Sequence, residues 1–354
     1  MGSGHFLREA FDMLAAMYRE QHPKMPAREI AGRILRDHLY GIDIDPRAAQ
    51  LAALTLSLRA AELIRDEERQ RRSPTSALQT PNSKLQMNLA TTPTGLTPGA
   101  LERHLERHPE DRIFKPLLAG IFAALEQADI LGSLLRPGEH LDEAIGKLQR
   151  TQNLPLGVDG DDAALRRTIT ELAKHDPAEL KALLLDRVAQ SFAAEAGEAD
   201  VAAALFGREA GEGVRLLRLL DRRYAVVVTN PPYMGSGNMD APLKNYVSRH
   251  YPSGKRDLYA AFILRCLELC RPNGRVAMVT QQSWMFLRSF ADLRALPEDK
   301  LAAARKKEQF TGLLRETVAQ HLIVIIDTTV RSTARSLETA APAVWVVPNA
   351  AAEL

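Results

Sequence analysis

The residues with the clearest chemical potential stand at the end of an apolar run, where Asn230-Pro231-Pro232-Tyr233 follows residues 225–229. The apolar run predicts a buried strand. Two consecutive prolines cannot donate to a strand ladder and they fix φ, so the strand must end there. The loop that follows is therefore rigid, and it presents a polar amide and an aromatic ring where α/β sheets build their sites. This pattern indicates chemistry on an amino group.

A second group of candidate residues opens the chain with two glycines before a helical pattern: Gly2-Ser3-Gly4-His5-Phe6. Glycines in such a loop let the backbone approach a ligand closely, and the helix start favours a phosphate or a carboxylate. Asp43 and Ile44 come at the end of the next predicted strand. Doubly wound nucleotide-binding folds place an acid there to accept hydrogen bonds from ribose hydroxyls. We therefore interpret both segments as a cofactor site.

The elements that must position these residues alternate between helices and strands. Before the linker, helices are predicted at residues 5–20, 27–37 and 46–64, with a strand at 39–45. After residue 220, strands are predicted at 225–229, 275–280, 322–327 and 343–348, with helices at 257–270 and 287–296. Such alternation is typical of an α/β fold with a mainly parallel sheet and helices on both faces.

The composition divides the chain into three parts. Residues 1–72 and 221–354 are predicted to be the two halves of one α/β domain, the first for the cofactor and the second for catalysis. Residues 73–220 are predicted to be a linker, with one possible strand at 83–89, followed by a Leu- and Ala-rich helical insertion. The whole chain of 354 residues can bury a substantial core.

The charge and the rarer residues add few constraints. A formal net charge of +2 gives no signal for a polyanion partner. Cys266 and Cys270 are predicted to be buried neighbours on one helix face, without a disulfide framework. His104 and His108 have the spacing of metal ligands on a helix, but charged neighbours favour a solvated face, so no metal is expected. Neither a membrane span nor a signal segment is predicted, and we expect a cytoplasmic protein.

The order of the two glycines, the strand-end acid and the tetrad resembles the adenine-specific DNA methyltransferases that use S-adenosylmethionine. Residues 2–6 resemble the tail of that family's first motif, and residues 40–45 resemble its ribose-binding motif. Residues 243–247, 255–259 and 280–287 resemble the PglX methyltransferases of BREX phage-defence systems. The resemblance covers most of residues 2–60 and 215–330 and implies a Rossmann-like methyltransferase fold.

The resemblance implies a role for each part of the tetrad. The Asn230 side-chain oxygen and the Pro231 carbonyl would accept the two adenine amino hydrogens, which frees the nitrogen lone pair to attack the methyl group. Tyr233 would stack on an adenine extruded from double-stranded DNA. Other BREX proteins are the further partners that the resemblance implies.

Several alternatives stay open at the level of sequence. The same tetrad occurs in enzymes that methylate a glutamine amide on a release factor, and a cytosine amino-methyltransferase is disfavoured because its tetrad begins with Ser or Asp. A non-catalytic scaffold is also possible, since the first strand of the family and a target-recognition domain are expected to be missing. The aromatic residues Phe262, Trp284 and Phe286 are candidates for the base pocket, although a core position is favoured. Asp257 is predicted to cap a helix.

Overall fold

The computed structural model describes residues 2, 4–70, 85–92, 96, 99–150, 176–294, 323–327 and 343–348. The chain forms two compact units. One consists of Met1–Thr91 together with Arg222–Leu354, and the other is Thr92–Asp221.

The elements below are numbered in chain order. The α-helices are α1 (His5–Gln21), α2 (Ala27–Arg33), α3 (Pro46–Gln70), α4 (Ala100–Arg107), α5 (Lys115–Leu131), α6 (Pro137–Arg150), α7 (Pro177–Glu195), α8 (Val201–Asp221), α9 (Ala241–His250), α10 (Leu258–Leu269) and α11 (Ala291–Arg294). The strands are β1 (Leu39–Asp43), β2 (Asn88–Thr91), β3 (Tyr224–Asn230), β4 (Cys270–Thr280), β5 (Ile323–Asp327) and β6 (Ala343–Pro348).

The strands of the first unit form one sheet in the order β2-β1-β5-β3-β4-β6. All neighbouring pairs are parallel except β4 and β6, which are antiparallel. β1 is buried throughout. In β3 every residue is buried except the last, Asn230, which is exposed. Strands of a parallel sheet that is covered on its faces are continuously apolar, which explains why these segments lack polar alternation. The structure is therefore a mixed α/β unit with a mainly parallel sheet.

Helices α1, α2 and α3 cover part of this sheet with one continuous core. Leu7 and Phe11 of α1, Ile30 of α2 and Leu56 of α3 belong to the same buried cluster as Val226 of β3. Helix α10 packs against β3 and β4. The amphipathic helix predicted at the start of the chain is therefore confirmed, and its apolar face lies in the core of the sheet.

Several boundaries differ from the predicted ones. β2 begins at Asn88, later than the strand predicted at 83–89. β4 begins at Cys270, earlier than the strand predicted at 275–280. Cys270 pairs with Tyr224 and Arg275 pairs with Val226, so four residues of β4 lie opposite a single residue of β3. The helix predicted at 287–296 is a short 3-10 turn followed by α11 in the residues that are described.

Both cysteines are buried, as predicted. The prediction that they share a helix face was wrong, because α10 ends before Cys270, which begins β4.

The second unit is helical. Helices α7 and α8 pack along each other, as do α5 and α6. Its buried residues include Phe122, Leu184 and Phe192. Across the described parts of both units, no helix has the length and the apolar character that crossing a membrane requires.

The predicted solvated face at His104 and His108 was wrong. His104 is fully buried, and its Nε2 atom lies 2.9 Å from Asp111 Oδ2. Its ring also packs against the rings of Phe122 and Phe192. Sequence neighbours alone suggested a solvated face, whereas these contacts come from other turns and helices.

Candidate active site

The tetrad begins where β3 ends. Asn230 is the last residue of the strand and pairs in register with Asp327 of β5. Asn230 is exposed, whereas the next residue, Pro231, is buried. Among the residues that the structure describes, none forms a hydrogen bond with the Asn230 side chain. The strand end therefore presents an exposed amide group.

The loop after the tetrad is held by the segment that starts α10. Met234 N–H donates to Asp257 Oδ1 at 3.1 Å, and the Met234 carbonyl accepts from Leu258 N–H at 2.9 Å. Asp257 also accepts from Tyr259 N–H at 3.3 Å, so the predicted helix cap is confirmed. One carboxylate thus joins the helix start to the loop that carries the tetrad. Burial raises the pKa of Asp257, and backbone N–H donors oppose that rise.

Tyr233 is anchored at its far end. Its hydroxyl donates to the Val279 carbonyl of β4 at 3.0 Å. Its ring lies edge-on to Tyr259, with 6.1 Å between ring centroids. The Tyr259 hydroxyl is in turn 2.9 Å from Ser283 Oγ. The ring of Tyr233 is therefore fixed by its contacts with β4 and α10.

Both phenols stay neutral near physiological pH. Burial raises the pKa of Tyr233, and the nearby Asp257 carboxylate adds to that rise. Burial also raises the pKa of Tyr259 to about 12. Tyr233 can therefore donate its hydroxyl hydrogen to Val279 and offer an uncharged ring.

The first glycine loop meets the end of β1. Gly2 N–H donates to Asp43 Oδ2 at 2.8 Å, and Asp45 N–H donates to Asp43 Oδ1 at 2.9 Å. Asp43 is 0% exposed. The predicted partners Gly2 and Asp43 are thus brought together, but a ligand hydroxyl can reach the buried carboxylate only after a local rearrangement.

Gly4 has a structural reason to be glycine. Its φ of +83° is in the left-handed region, and a Cβ there would lie 3.0 Å from Ala52 Cα of α3. The residue therefore lets α1 begin in close contact with α3. In the first turn of that helix, His5 is exposed and Phe6 packs against the core of the sheet unit. Ser3 lies outside the described residues.

The ends of β1 and β3 lie at the same level of the sheet. Ile42 and Thr229 both pair with Ile326 of β5, so the residues that follow them, Asp43 and Asn230, are level. One strand separates them, which places their backbones roughly 10 Å apart at the usual strand spacing. Ile44, next to Asp43, is buried. Both predicted sites therefore line the same edge of one sheet.

The three aromatic candidates for a base pocket behave differently. Phe262 is buried in α10, in agreement with the favoured core position, and Trp284 is also buried. Phe286 is 72% exposed. Among the described residues, the ring that packs against Tyr233 is that of Tyr259 and none of these three.

The comparisons with known proteins decide the family. The model of the Eco57I restriction-modification methylases matches residues 37–308, which include Asp43 and the tetrad. The chain belongs to this family. The resemblance to PglX-type adenine-specific methyltransferases is confirmed by the relatives as well.

Two relatives match most of this Eco57I-family chain at the same sequence identity. It is 29% identical to the adenine-specific methyltransferase BrxX of Escherichia coli O9:H4 (strain HS), over 83% of this chain and 21% of that protein. It is 29% identical to the adenine-specific methyltransferase PglX of Lacticaseibacillus casei (strain Zhang), over 83% of this chain and 20% of that protein. A third relative, the type II methyltransferase M.PaeR7I of Pseudomonas aeruginosa, is 34% identical over 29% of this chain and 18% of its own length. The chain thus spans about a fifth of the length of these relatives.

Sequence reasoning missed the residues that hold the tetrad in place. The cap at Asp257 was predicted, but its bond to Met234 N–H was not, nor was the pair formed by Tyr259 and Ser283. Both segments had been singled out for their resemblance to the family. That resemblance was the only available signal, because the contacts join residues 23 and 24 positions apart.

Proposed function

We propose that this Eco57I-family chain carries the catalytic loop of an S-adenosylmethionine-dependent methyltransferase that methylates N6 of adenine in DNA. The observation that carries the proposal is the exposed Asn230 side chain at the end of β3, level with Asp43 and followed by a braced loop. Family membership and the names of the two longest-matching relatives support it.

An adenine amino nitrogen is a poor nucleophile because its lone pair is delocalised into the ring. The Asn230 side-chain oxygen and the Pro231 carbonyl would accept its two hydrogens, which favours a pyramidal nitrogen with a localised lone pair. These acceptors also stabilise the positive charge that develops on the nitrogen during transfer. Asn230 has no competing side-chain partner among the described residues, so no hydrogen bond to that part of the chain must break first.

Pro232 and Tyr233 would complete the loop. Pro232 restricts the backbone between the acceptors and the ring. The Tyr233 ring, fixed by the Val279 carbonyl, would stack on an adenine extruded from the duplex. Such stacking is worth ~1 to 3 kcal/mol per base and partly offsets the cost of unstacking.

S-adenosylmethionine would supply the electrophilic methyl group. The donor set at the end of β1 fits its ribose, because a carboxylate accepts from two hydroxyls. The Gly2 N–H already donates to Asp43 at 2.8 Å, which marks the side from which a hydroxyl could donate. Gly2, Ser3, Gly4, His5 and Phe6 would then surround the cofactor with Ile44. In this arrangement Gly2 gives way to the ligand while Asp43 stays in place.

The remaining assignments follow from the same proposal. The sheet unit would be a Rossmann-like methyltransferase fold, with residues 1–72 as its cofactor half, 221–354 as its catalytic half and 73–220 as linker and insertion. Double-stranded DNA would be the substrate, other BREX proteins would be partners, and the site of action would be the cytoplasm. The two relatives named as adenine-specific methyltransferases favour this proposal over glutamine methylation.

The test is methyl transfer from labelled S-adenosylmethionine to unmethylated genomic DNA, with products identified by mass spectrometry. We expect N6-methyladenine, and Asn230→Ala should lower the rate by about 100- to 1,000-fold, as for loss of one transition-state hydrogen-bond partner. S-adenosylmethionine affinity, measured by calorimetry, should change less than about twofold because Asn230 contacts the base.

Asn238→Ala is the matched control, since Asn238 is an exposed asparagine in the same loop and its variant should keep the rate. Equal rates for the protein and for Asn230→Ala would refute the role of Asn230. A parallel reaction with a release factor as acceptor tests the alternative: methylated glutamine there, without methyladenine in the DNA, would replace the proposed substrate by the amide of a protein.

A further inference from the structure

The helical unit contains a cluster of three potential metal ligands that the methyltransferase proposal does not use. His104 lies in α4, His108 follows the end of that helix, and Glu195 ends α7. One ligand atom from each lies within 4.8 Å of the others. We propose that His104, His108 and Glu195 bind one divalent transition-metal ion of the zinc class, which ties α4 to the end of α7.

Two buried polar atoms of this cluster lack partners. His104 Nδ1 and Glu195 Oε2 are buried, and neither has a hydrogen-bond partner among the described residues. Both residues are 0% exposed, so water does not satisfy these atoms from the surface. Leaving a buried polar atom unpaired costs about 1–3 kcal/mol. A cation between the three side chains would satisfy the imidazole nitrogen and the carboxylate together.

The distances fit an ion after small movements. His108 Nε2 lies 2.8 Å from Glu195 Oε1, and His104 Nδ1 lies 4.0 Å from the same oxygen. Ligand atoms of a tetrahedral zinc site are roughly 3.3 Å apart, as follows from metal–ligand bonds of about 2.0–2.2 Å. The first pair would open and the second would close, each by less than about 1 Å, which side-chain rotation can provide.

The surroundings orient the ligands as metal sites require. The other ring nitrogen of His104 is held by Asp111 Oδ2 at 2.9 Å, and Asp111 Oδ1 accepts from Arg187 Nε at 2.5 Å. On His108, the other nitrogen lies 3.5 Å from Glu110 Oε1. Carboxylates that bind the distal nitrogen fix the tautomer of a ligating histidine and raise its basicity. Asp111 does this for His104, and the remaining nitrogens, His104 Nδ1 and His108 Nε2, lie 4.0 and 2.8 Å from Glu195 Oε1.

The backbone brings the carboxylate to this place. A Cβ on Gly207 of α8 would lie 2.5 Å from Ala196 N and 2.8 Å from Glu195 Cβ. Only glycine allows α8 to approach the end of α7 so closely. Glu195 therefore packs closely against α8, and its carboxylate lies near His104 of α4 and His108 after that helix.

The ligand chemistry selects the class of ion. Two imidazoles and one carboxylate suit Zn²⁺ and Co²⁺, whereas Mg²⁺ and Ca²⁺ prefer oxygen ligands. Three protein ligands leave a fourth position for water. Because the ligands are 87 residues apart, the ion would cross-link distant parts of the helical unit.

The test is metal binding by the purified chain after removal of metals with a chelator. Titration with Co²⁺ should give the visible absorption bands of a tetrahedral site at one ion per chain, and Zn²⁺ should displace Co²⁺. Zn²⁺ should also raise the thermal unfolding temperature, whereas Mg²⁺ should not.

Variants separate a metal site from a hydrogen-bonded cluster. His108→Ala, at a half-buried position, should abolish the bands, and circular dichroism should show that its helices are retained. Glu195→Gln tests the same point with a side chain of equal size. Asp111→Asn leaves all ligands in place and should weaken Zn²⁺ binding by about 10- to 100-fold. The control His22→Ala removes an exposed histidine that follows the end of α1 and should bind like the parent chain.

Absence of the cobalt bands would overturn the proposal, and so would bands that survive in both His108→Ala and Glu195→Gln. Equal thermal shifts in the parent chain and in these variants would assign the effect of Zn²⁺ to other residues. Methyl transfer is not used as a readout, so failure of this site and failure of the proposed activity can be told apart.

Discussion

The ends of β3 and β1 lie level in one sheet, but they treat their polar residues in opposite ways. At the end of β3, Asn230 is exposed and its side chain has no hydrogen bond within the described residues. At the end of β1, Asp43 is 0% exposed and each carboxylate oxygen accepts a backbone N–H. The amide at the end of β3 is therefore exposed, whereas the carboxylate at the end of β1 is buried.

The difference lies in which residues hold the backbone. The loop that follows Asn230 is fixed by other residues: Met234 N–H donates to the Asp257 carboxylate, and the Tyr233 hydroxyl donates to the Val279 carbonyl. Around Asp43 the acid itself holds Gly2 and Asp45. A site whose supports are separate from its reactive group can be formed before a ligand arrives. We therefore expect the β3 end to be preorganised and the β1 end to rearrange when a ligand binds.

Asp43→Asn should have the largest effect on stability. An asparagine must turn its NH2 group toward either the Gly2 or the Asp45 N–H, which leaves buried donors unpaired. We expect a loss of roughly 1–3 kcal/mol in the free energy of unfolding, measured with urea. S-adenosylmethionine affinity should fall about tenfold or more because the same carboxylate is proposed to bind ribose.

Asp45→Asn is the control for this prediction. The Asp45 side chain is 47% exposed and accepts from Arg47 N–H, a role that asparagine can also fill. Its variant should keep stability and affinity. If Asp43→Asn were as stable as the parent chain, the contrast between the two strand ends would not hold.

Asp257→Ala should damage the β3 end with a smaller loss of stability. The variant removes a helix cap, which costs about 0.5 to 2 kcal/mol, and it releases Met234 N–H from the loop. The rate of methyl transfer should fall by about 10- to 100-fold, since misplacement of the acceptors disrupts the reacting geometry. S-adenosylmethionine affinity should stay close to that of the parent chain.

Two variants sharpen this test. Asp240 occupies the corresponding position before α9 but makes no capping hydrogen bond, so Asp240→Ala should cost little. Asp257→Asn keeps a capping oxygen and should recover most of the lost stability. A rate for Asp257→Ala equal to that of Asp240→Ala would show that the brace does not position Asn230.

Strong local signals allowed much of the sheet to be predicted. The apolar run before the tetrad ends at Asn230 as predicted, because two prolines stop the ladder whatever the surroundings. The start of β4 could not be predicted in this way. Arg271-Pro272-Asn273-Gly274 has the composition of a turn, and these four residues bulge out of the ladder opposite Ala225, between the pairs Tyr224–Cys270 and Val226–Arg275.

Contacts between distant residues explain the other failures. His104 is surrounded in sequence by charged residues, but Asp111 and Phe192 cover it in the folded unit. The brace from Asp257 to Met234 likewise joins two loops that no local pattern connects. Residue types and spacing could therefore identify the tetrad and Asp43, but they could not show which one is exposed.

Tyr233→Phe should have the smallest effect and tests how the ring is held. The variant keeps the aromatic face and removes the hydrogen bond to the Val279 carbonyl, a contact worth about 1 kcal/mol. We expect a rate about fivefold lower, which corresponds to that energy, with unchanged S-adenosylmethionine affinity. Tyr233→Leu also removes the ring and should lower the rate further by the stacking energy of ~1 to 3 kcal/mol. If both variants were equally slow, the hydroxyl anchor would account for the whole role of Tyr233. If the phenylalanine variant matched the parent, the ring would be positioned by its packing against Tyr259.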